Sequence, residues 1–392
     1  MKTKSTCNGF ALLVLSMLSW LTGDCCAQAT AQQDTNYWHY HELIYKAECA
    51  LFDKHDVDAC FQYYDQAFNN FEFNYAHDLV NAAQLAHYYH RDYMKYLKRA
   101  VLFGVRPLHL SGIPIWRKSY ITVYKEFLTY FRSKEGQTMR QQYLATINQE
   151  YLAWTYRFVL REMKYRRSSH GAEYWDRFNQ WDEELLRKIK EYGFPGAKLI
   201  GVDDSLLYKD LQNEELNFNR LVRMGADSLC LGLKTDMLKI SIDGKKTWIK
   251  KEDMPKDDCP ELDVNGSSSC AQKWFFVYMA HNPCPLKIFE ATYDEIAKGN
   301  LHPREYADML DGAMISHREC DCGKYGKQFF RIGNLMAHKD RLKQFIIPDN
   351  ETDELRKKYW IIPLRVEQAK AQFGREHGYR FNWGMNNMYS YP

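Results

Sequence analysis

An excess of charge of one sign is the first thing missing from this sequence. Its 53 Lys and Arg residues meet 50 Asp and Glu, a formal +3 over 392 residues. There is no electrostatic surplus of the kind that marks a dedicated nucleic-acid binder or a polybasic membrane protein. Missing too are a Gly-rich phosphate loop, a His-Glu-x-x-His pair and a Gly-x-Ser-x-Gly elbow, so the nucleotide-binding and hydrolase classes those motifs define find no support. Beyond Ala27 no uncharged apolar run reaches the roughly 20 residues that cross a bilayer, and no transmembrane segment is expected. What remains is 45% hydrophobic, 15% aromatic and 26% charged. That composition belongs to a folded chain long enough for two or three domains with cores of their own.

Lys2 and Lys4, an apolar stretch from Phe10 to Leu21, and Cys25-Cys26-Ala27 before Gln28 stand in the order of a secretory signal peptide. Cleavage near Ala27 is expected, giving a soluble protein exported to the periplasm or the extracellular space. Asp24 sits where a lipoprotein signal wants a small neutral side chain, which argues against lipidation of Cys25. Setting aside Cys7, Cys25 and Cys26 leaves eight of the 11 cysteines, an even count that an oxidising compartment allows to pair. Cys49 with Cys60, and Cys259 with Cys270, are the near pairs, although sequence alone does not fix connectivity. For Cys49 and Cys60 packed free thiols are an equal alternative, because both fall on apolar helical positions.

A self-comparison at an offset of 33 residues aligns Cys49 with Ala82, Ala50 with Ala83, Cys60 with Tyr93, Tyr64 with Leu97 and Ala67 with Ala100. Apart from Cys60 on Tyr93, small residues fall on small and large on large, at the spacing of a helix face packed on a preceding helix. From about Tyr37 to Val105 this resembles tetratricopeptide-type helix pairs, in which small residues let antiparallel helices approach closely. Asn81-Ala82-Ala83 and Leu97-x-x-Ala100, closing at Gly104, carry the likeness; the first copy lacks the usual Trp and Gly. Two copies are fewer than a free-standing array needs, so these helices must pack on segments later in the chain.

Further helices are expected over Tyr120–Phe131, over Met139–Lys164, and beyond a polar break at Ser168–Gly171. The last of these carries Tyr174, Phe178, Trp181, Leu185, Ile189 and Tyr192 as a core-facing stripe and stops at Gly193-Phe194-Pro195-Gly196. From Lys198 the texture changes. Leu238, Ile240 and Ile242 alternate, Asp243-Gly244 turns, and Thr247 and Ile249 alternate on the return, which predicts one β-hairpin. Glu252–Ser269 reads as an exposed, inserted loop. Trp274–Ala280 fits strand or helix, whereas Pro285–Lys298 and Pro303–Ser316 have helical patterning. Arg375–Pro392 lacks helical periodicity, and alternating Tyr379, Phe381 and Trp383 suit either a short docking strand or a loosely anchored aromatic tail. The fold expected is mainly α: a signal peptide (1–27), tetratricopeptide-like repeats (28–118), a helical connecting region (119–196), a helical α+β domain with a small inserted β-hairpin (197–364) and an aromatic tail (365–392).

A second likeness begins at Arg187 and runs to about Leu364. Gly193-Phe194-Pro195 with Gly201, His281-Asn282, Asp311-Gly312 and Tyr325-Gly326-Lys327-Gln328 stand in the order of four marks. They resemble the Gly-Trp-Pro, His-Ala-Asp, Asp-Arg and Tyr-Gly-Thr-Gln of an uncharacterised bacterial family of helical domains often found in exported proteins. Gly312 stands where that family has Arg, the residue best suited to binding an anion bidentately. His281 with Asp311 would make an oriented general base, and Tyr325 and Gln328 would hold a substrate by hydrogen bonds. The competing reading is a buried polar network whose members satisfy one another.

No cofactor and no metal are expected. His317, Cys320 and Cys322, completed by His281 and Cys284, offer soft ligands, but an oxidising compartment directs those cysteines to disulfides. The function expected is that of an exported interaction or scaffolding protein with a protein or peptide partner and no nucleic acid. The alternative is a hydrolase-like enzyme built on His281, Asp311, Tyr325 and Gln328.

Overall fold

The computed structural model describes residues 34–110, 113, 115–116, 123–168, 172–202, 237–242, 245–250, 278–279, 282, 286–307, 309 and 349–381. They are mainly helical. Helix α1 (Tyr37–Phe52) starts where the Asn36 side chain accepts from the Trp38 N–H, and it buries Tyr40, His41, Ile44, Ala47, Glu48 and Leu51 along one stripe. Helix α2 (Val57–Asn70) is capped by Asp56, whose carboxylate accepts from the Ala59 N–H at 2.9 Å, a contact worth about 1 kcal/mol. Its buried face, Cys60, Phe61, Tyr64, Ala67 and Phe68, packs on α1. Helix α3 (Ala76–Tyr88) buries every residue from Ala76 to Ala86, and α4 (Met94–Val101) packs against it. These four helices build the largest core.

Cys49 and Cys60 are free thiols on α1 and α2, packed rather than bridged. Burial, first of all, pushes the Cys49 thiol up to about 12, so it carries little thiolate. Cys259 and Cys270 lie outside the described residues, as does Met1–Ala27.

The short α5 (Pro107–Leu110) leads to α6 (Val123–Arg132). The stretch expected as one helix over Met139–Lys164 is two, α7 (Lys134–Thr146) and α8 (Gln149–Ser168). Asn148 makes the break: its side chain accepts from the Tyr151 N–H at 2.9 Å and its carbonyl from Leu152, the geometry of an N-cap. Helix α9 (Ala172–Tyr192) buries Phe178, Trp181, Leu185 and Ile189 in a second core with Phe158, Tyr278, Ile288 and Phe289. From Phe178 to Ile189 the stripe is core, and Tyr192 is half-buried at its end. A turn of helix, α10 (Ala197–Ile200), comes next. Strands β1 (Met237–Ile242) and β2 (Lys245–Lys250) pair antiparallel with Leu238 opposite Ile249.

Helix α11 (Leu286–Ala297) precedes a helical turn at residues 303–307. Two more helices, α12 (Asp349–Lys358) and α13 (Leu364–His377), complete the described set. The expected aromatic tail therefore opens with a helix. Helix α13 packs on α1 through a face that includes Glu367 and Lys370 beside Leu364, Val366 and Gly374, so a hydrophobic-periodicity reading misses it. Tyr379 is buried beyond its end with its hydroxyl 2.7 Å from His87 Nδ1, while Phe381 lies against Phe52. Trp383 lies outside the described residues. Tyrosines that could have furnished a binding surface are mostly core; among the described large hydrophobic side chains only Tyr293, at 41%, is exposed.

Two glycines fix the end of α9. Gly193 has φ +99°, where a side chain is strained. A Cβ on Gly196 would lie 1.8 Å from the Asn300 carbonyl oxygen. Gly196→Ala is expected to cost about 3 kcal/mol, the upper end of overpacking penalties, because backbone rather than a side-chain tip must move. Urea denaturation measures it, and a loss under about 1 kcal/mol would show that the Asn300 turn yields freely.

Candidate functional site

His281, Asp311, Tyr325 and Gln328 lie outside the described residues, as do Cys284, His317, Cys320 and Cys322. Of the four stretches, Gly193-Phe194-Pro195 with Gly201 is described, and His281-Asn282 only at Asn282; both join helices. Glu295 of α11 accepts from the Phe194 N–H and from Asn300 Nδ2, each at 2.8 Å, tying the Gly-Phe-Pro-Gly turn to the end of α11. Buried Asn282 donates from Nδ2 to Asp182 of α9 at 2.6 Å, and the Tyr278 hydroxyl donates to the same carboxylate at 2.7 Å. These residues hold packing together.

A different polar cluster lies where α1 and α3 meet the 303–307 turn and α13. The inner stripe of α1 presents Tyr40, His41, Ile44 and Glu48; the first turns of α3 present His77, Asp78 and Asn81. His302 enters from the other side. Its Nδ1 accepts from the Arg304 N–H at 3.1 Å, capping the turn. The His302 ring lies edge-on to three others: His41, Tyr75 and His77, at 4.8, 4.9 and 4.6 Å between centroids. Asp78 sits among them. Its Oδ2 accepts from the Tyr40 hydroxyl at 3.0 Å, its Oδ1 lies 3.2 Å from His77 Nε2, and His302 Nε2 is 3.9 Å from Oδ2.

Beside the rings runs a second, fully charged layer. Glu367 of α13 accepts bidentately from Arg304, at 2.6 and 2.7 Å, and from Arg356 of α12 at 3.0 Å. Lys370 of α13 donates to Glu48 of α1. Outside, Arg365 pairs with Asp53. Arg304, Arg356, Lys370, Glu48 and Glu367 are all buried, yet each has an opposite charge in contact, as buried ions require.

The electrostatics arise from this packing. Burial pushes the His41 imidazole down to about 3, helped by His77 and opposed by Asp78. Burial also holds His302 well below the ordinary histidine value, with His77, His41, Arg304 and Lys370 acting in the same direction. For Asp78 burial would raise the carboxyl, but the His77 charge and the hydrogen bonds from His77 and Tyr40 bring it below the usual value. Burial likewise opposes ionisation of Glu367, and Arg304, Arg356 and Lys370 overcome it, leaving the carboxyl at about 2.

A cavity bounded by His41, Glu48, Asp78, Asn81, His302 and Lys370 offers about 20 Å³ to the centre of a water molecule. That is room for one water and too little for an organic substrate. His77, Asp78 and His302 bring ligand-type atoms within 4.8 Å of one another. The donor set nevertheless does not suit a cation. Because Nδ1 of His302 accepts an amide proton, the neutral ring carries its own proton on Nε2, the nitrogen facing Asp78, and a metal there would have to break that arrangement.

Sequence reasoning missed this cluster. His302 lies more than 200 residues from His41 and His77, and the three obey no ligand spacing; the local signal is His41, His77 and Asp78 on largely apolar helix faces. Among the described residues no helix is long and apolar enough to cross a membrane. Compared with known proteins, the chain matches no family model, no curated protein sequence and no solved structure.

Proposed function

We propose that this chain is an exported, non-catalytic interaction protein. Its signal peptide ends near Ala27, helices α1 to α4 act as tetratricopeptide-like pairs that dock a protein or peptide partner, and the domain with the inserted hairpin is a structural module. One observation carries the reading: buried Arg304, Arg356, Glu367, Lys370 and Glu48 are paired with one another, beside a cavity the size of a single water. The small residues aligned by the 33-residue offset add to it. Ala50, Ala67, Ala82, Ala83 and Ala100 are all buried where these helices pack, as close antiparallel pairs require.

Lysine-directed crosslinking of the mature chain in an extract of its own cell envelope tests the reading. Discrete adducts through Lys54 and Lys95, exposed residues at the ends of α1 and α4, are expected. A monodisperse chain that recovers no partner would refute it.

A further inference from the structure

We propose that the His41, His77 and His302 cluster is an acid-sensitive latch, which holds the 303–307 turn and α13 against α1 and α3 at neutral pH and lets them go on acidification. The geometry has three parts. The three rings come from three separate segments and meet edge-to-face at 4.6 and 4.8 Å around His302. Each is buried, and both ring nitrogens of His41 lack a hydrogen-bond partner among the described residues, so no described side chain is placed to accept a hydrogen bond from the N–H that protonation would add. One carboxylate, Asp78, serves all three imidazoles, and part of its capacity is taken by Tyr40.

The groups around the rings decide the direction. Tyr40 and Glu48 face them from α1, Tyr75, His77 and Asp78 from the start of α3, Arg304 and Glu305 from the turn, and Lys370 from α13. Glu48 is engaged by Lys370, and Glu367, the next carboxylate out, is engaged by Arg304 and Arg356. Asp78 has no lysine or arginine ion pair among the described residues, and its nearest cations would be the imidazoles themselves. It offsets one imidazolium; a second would be repelled by the first and by Arg304 and Lys370, the cations that already act on His302.

What opens is equally defined. The face of α1 and α3 that α13 and the residues after it cover is held by Lys370 to Glu48, by Arg380 backbone to Gln84, and by Tyr379 to His87. In the reading of α1 to α4 as a docking unit, α13 is thus an internal occupant that acid displaces. The latch itself does not depend on that reading.

The sign is fixed by linkage. An imidazole whose folded pKa lies below its unfolded value binds its proton more readily in the opened chain, so closure is strongest above about 6.5 and is lost as pH falls below it. For His41 and His302 the fall in the closed-to-open ratio should approach tenfold per pH unit each below about pH 6.5, roughly a hundredfold or more together between pH 6.5 and 5.

Hydrogen exchange of the full chain at pH 7.5 and 5.0, corrected for intrinsic rates, reads the opening segment by segment. Amides of 303–307 and α13 should lose protection at pH 5.0 while those of α8 and α9 keep it. His41→Phe with His302→Phe, which keeps two rings and removes both titrations, should abolish the difference. Equal loss of protection across all helices, or the same acid response in the double variant, would overturn the latch. Should that variant not fold, imidazole carbon shifts of the wild-type chain decide it: His41 and His302 must remain neutral until opening begins, and ordinary titration near pH 6.5 without opening would refute it. A zinc-induced gain in protection that His302→Phe removes would also overturn it, by making the cluster a metal site. Crosslinking to a partner bears on none of these outcomes.

Discussion

Glu367→Gln is expected to destabilise the chain by about 3–5 kcal/mol, the cost of leaving buried charge without its counter-ion. The substitution preserves shape, so packing is not the cause. It removes a carboxylate that meets both Arg304 and Arg356, and Arg356 is wholly buried. A bidentate guanidinium pair is among the stronger charge-assisted contacts, and here a second arginine shares the same oxygen. Urea denaturation at pH 7 gives the value; a loss below about 1 kcal/mol would mean that water or another acid serves both arginines. The wild-type pair also predicts a pH response. Its folded carboxyl, at about 2, lies below the ordinary value of 4.5, so the unfolded chain takes up the proton first. Stability from this group is complete above about pH 4.5 and disappears as pH falls toward 2, a contribution of about 3 kcal/mol by linkage. Glu367→Gln should flatten that part of the stability curve.

Lys370→Met should cost a similar amount for the opposite reason. It strands Glu48, a buried carboxylate on the inner stripe of α1, and an orphaned internal charge costs about 3–5 kcal/mol. Replacing both partners changes the sign of the argument. Glu48→Leu with Lys370→Met fills the space with apolar groups and should recover most of the loss, because a buried ion pair is close to neutral against a well-packed apolar substitute. The double-mutant cycle measures the coupling directly. If the double variant is no better than the worse single one, the pair acts through a hydrogen-bond network rather than through charge compensation.

These two sites also show what the sequence makes legible. Helices whose buried face is apolar or aromatic are readable from spacing, as with Phe178, Trp181, Leu185 and Ile189 on α9, and its stop at Gly193 reflects a backbone angle that favours glycine. Helix α13 is not, because a face that buries Glu367 and Lys370 looks like a solvated one until the partners are known. The split between α7 and α8 turns on the Asn148 cap, which an unbroken apolar spacing conceals. His302 shows the limit most clearly. Its neighbours His41 and His77 are drawn in from a different part of the chain, and no local rule connects them. His281, Asp311, Tyr325 and Gln328 rest on resemblance and lie outside the described residues.

The pairing of α1 with α13 also has a consequence in time. Glu48 meets Lys370 across 322 positions, Asp53 meets Arg365 across 312, and Gln84 meets the Arg380 backbone across 296. Closing a loop of that length carries an entropic cost of about 5 kcal/mol before any contact is made, and contacts so remote in sequence slow folding. As the chain is made from its N-terminus onward, Glu48 has no Lys370 to neutralise it until a further 322 residues have emerged. Helices α1 and α3 therefore pass through synthesis with their inner face uncovered, a state that protease protection of ribosome-bound chains of increasing length would record as a late, single step.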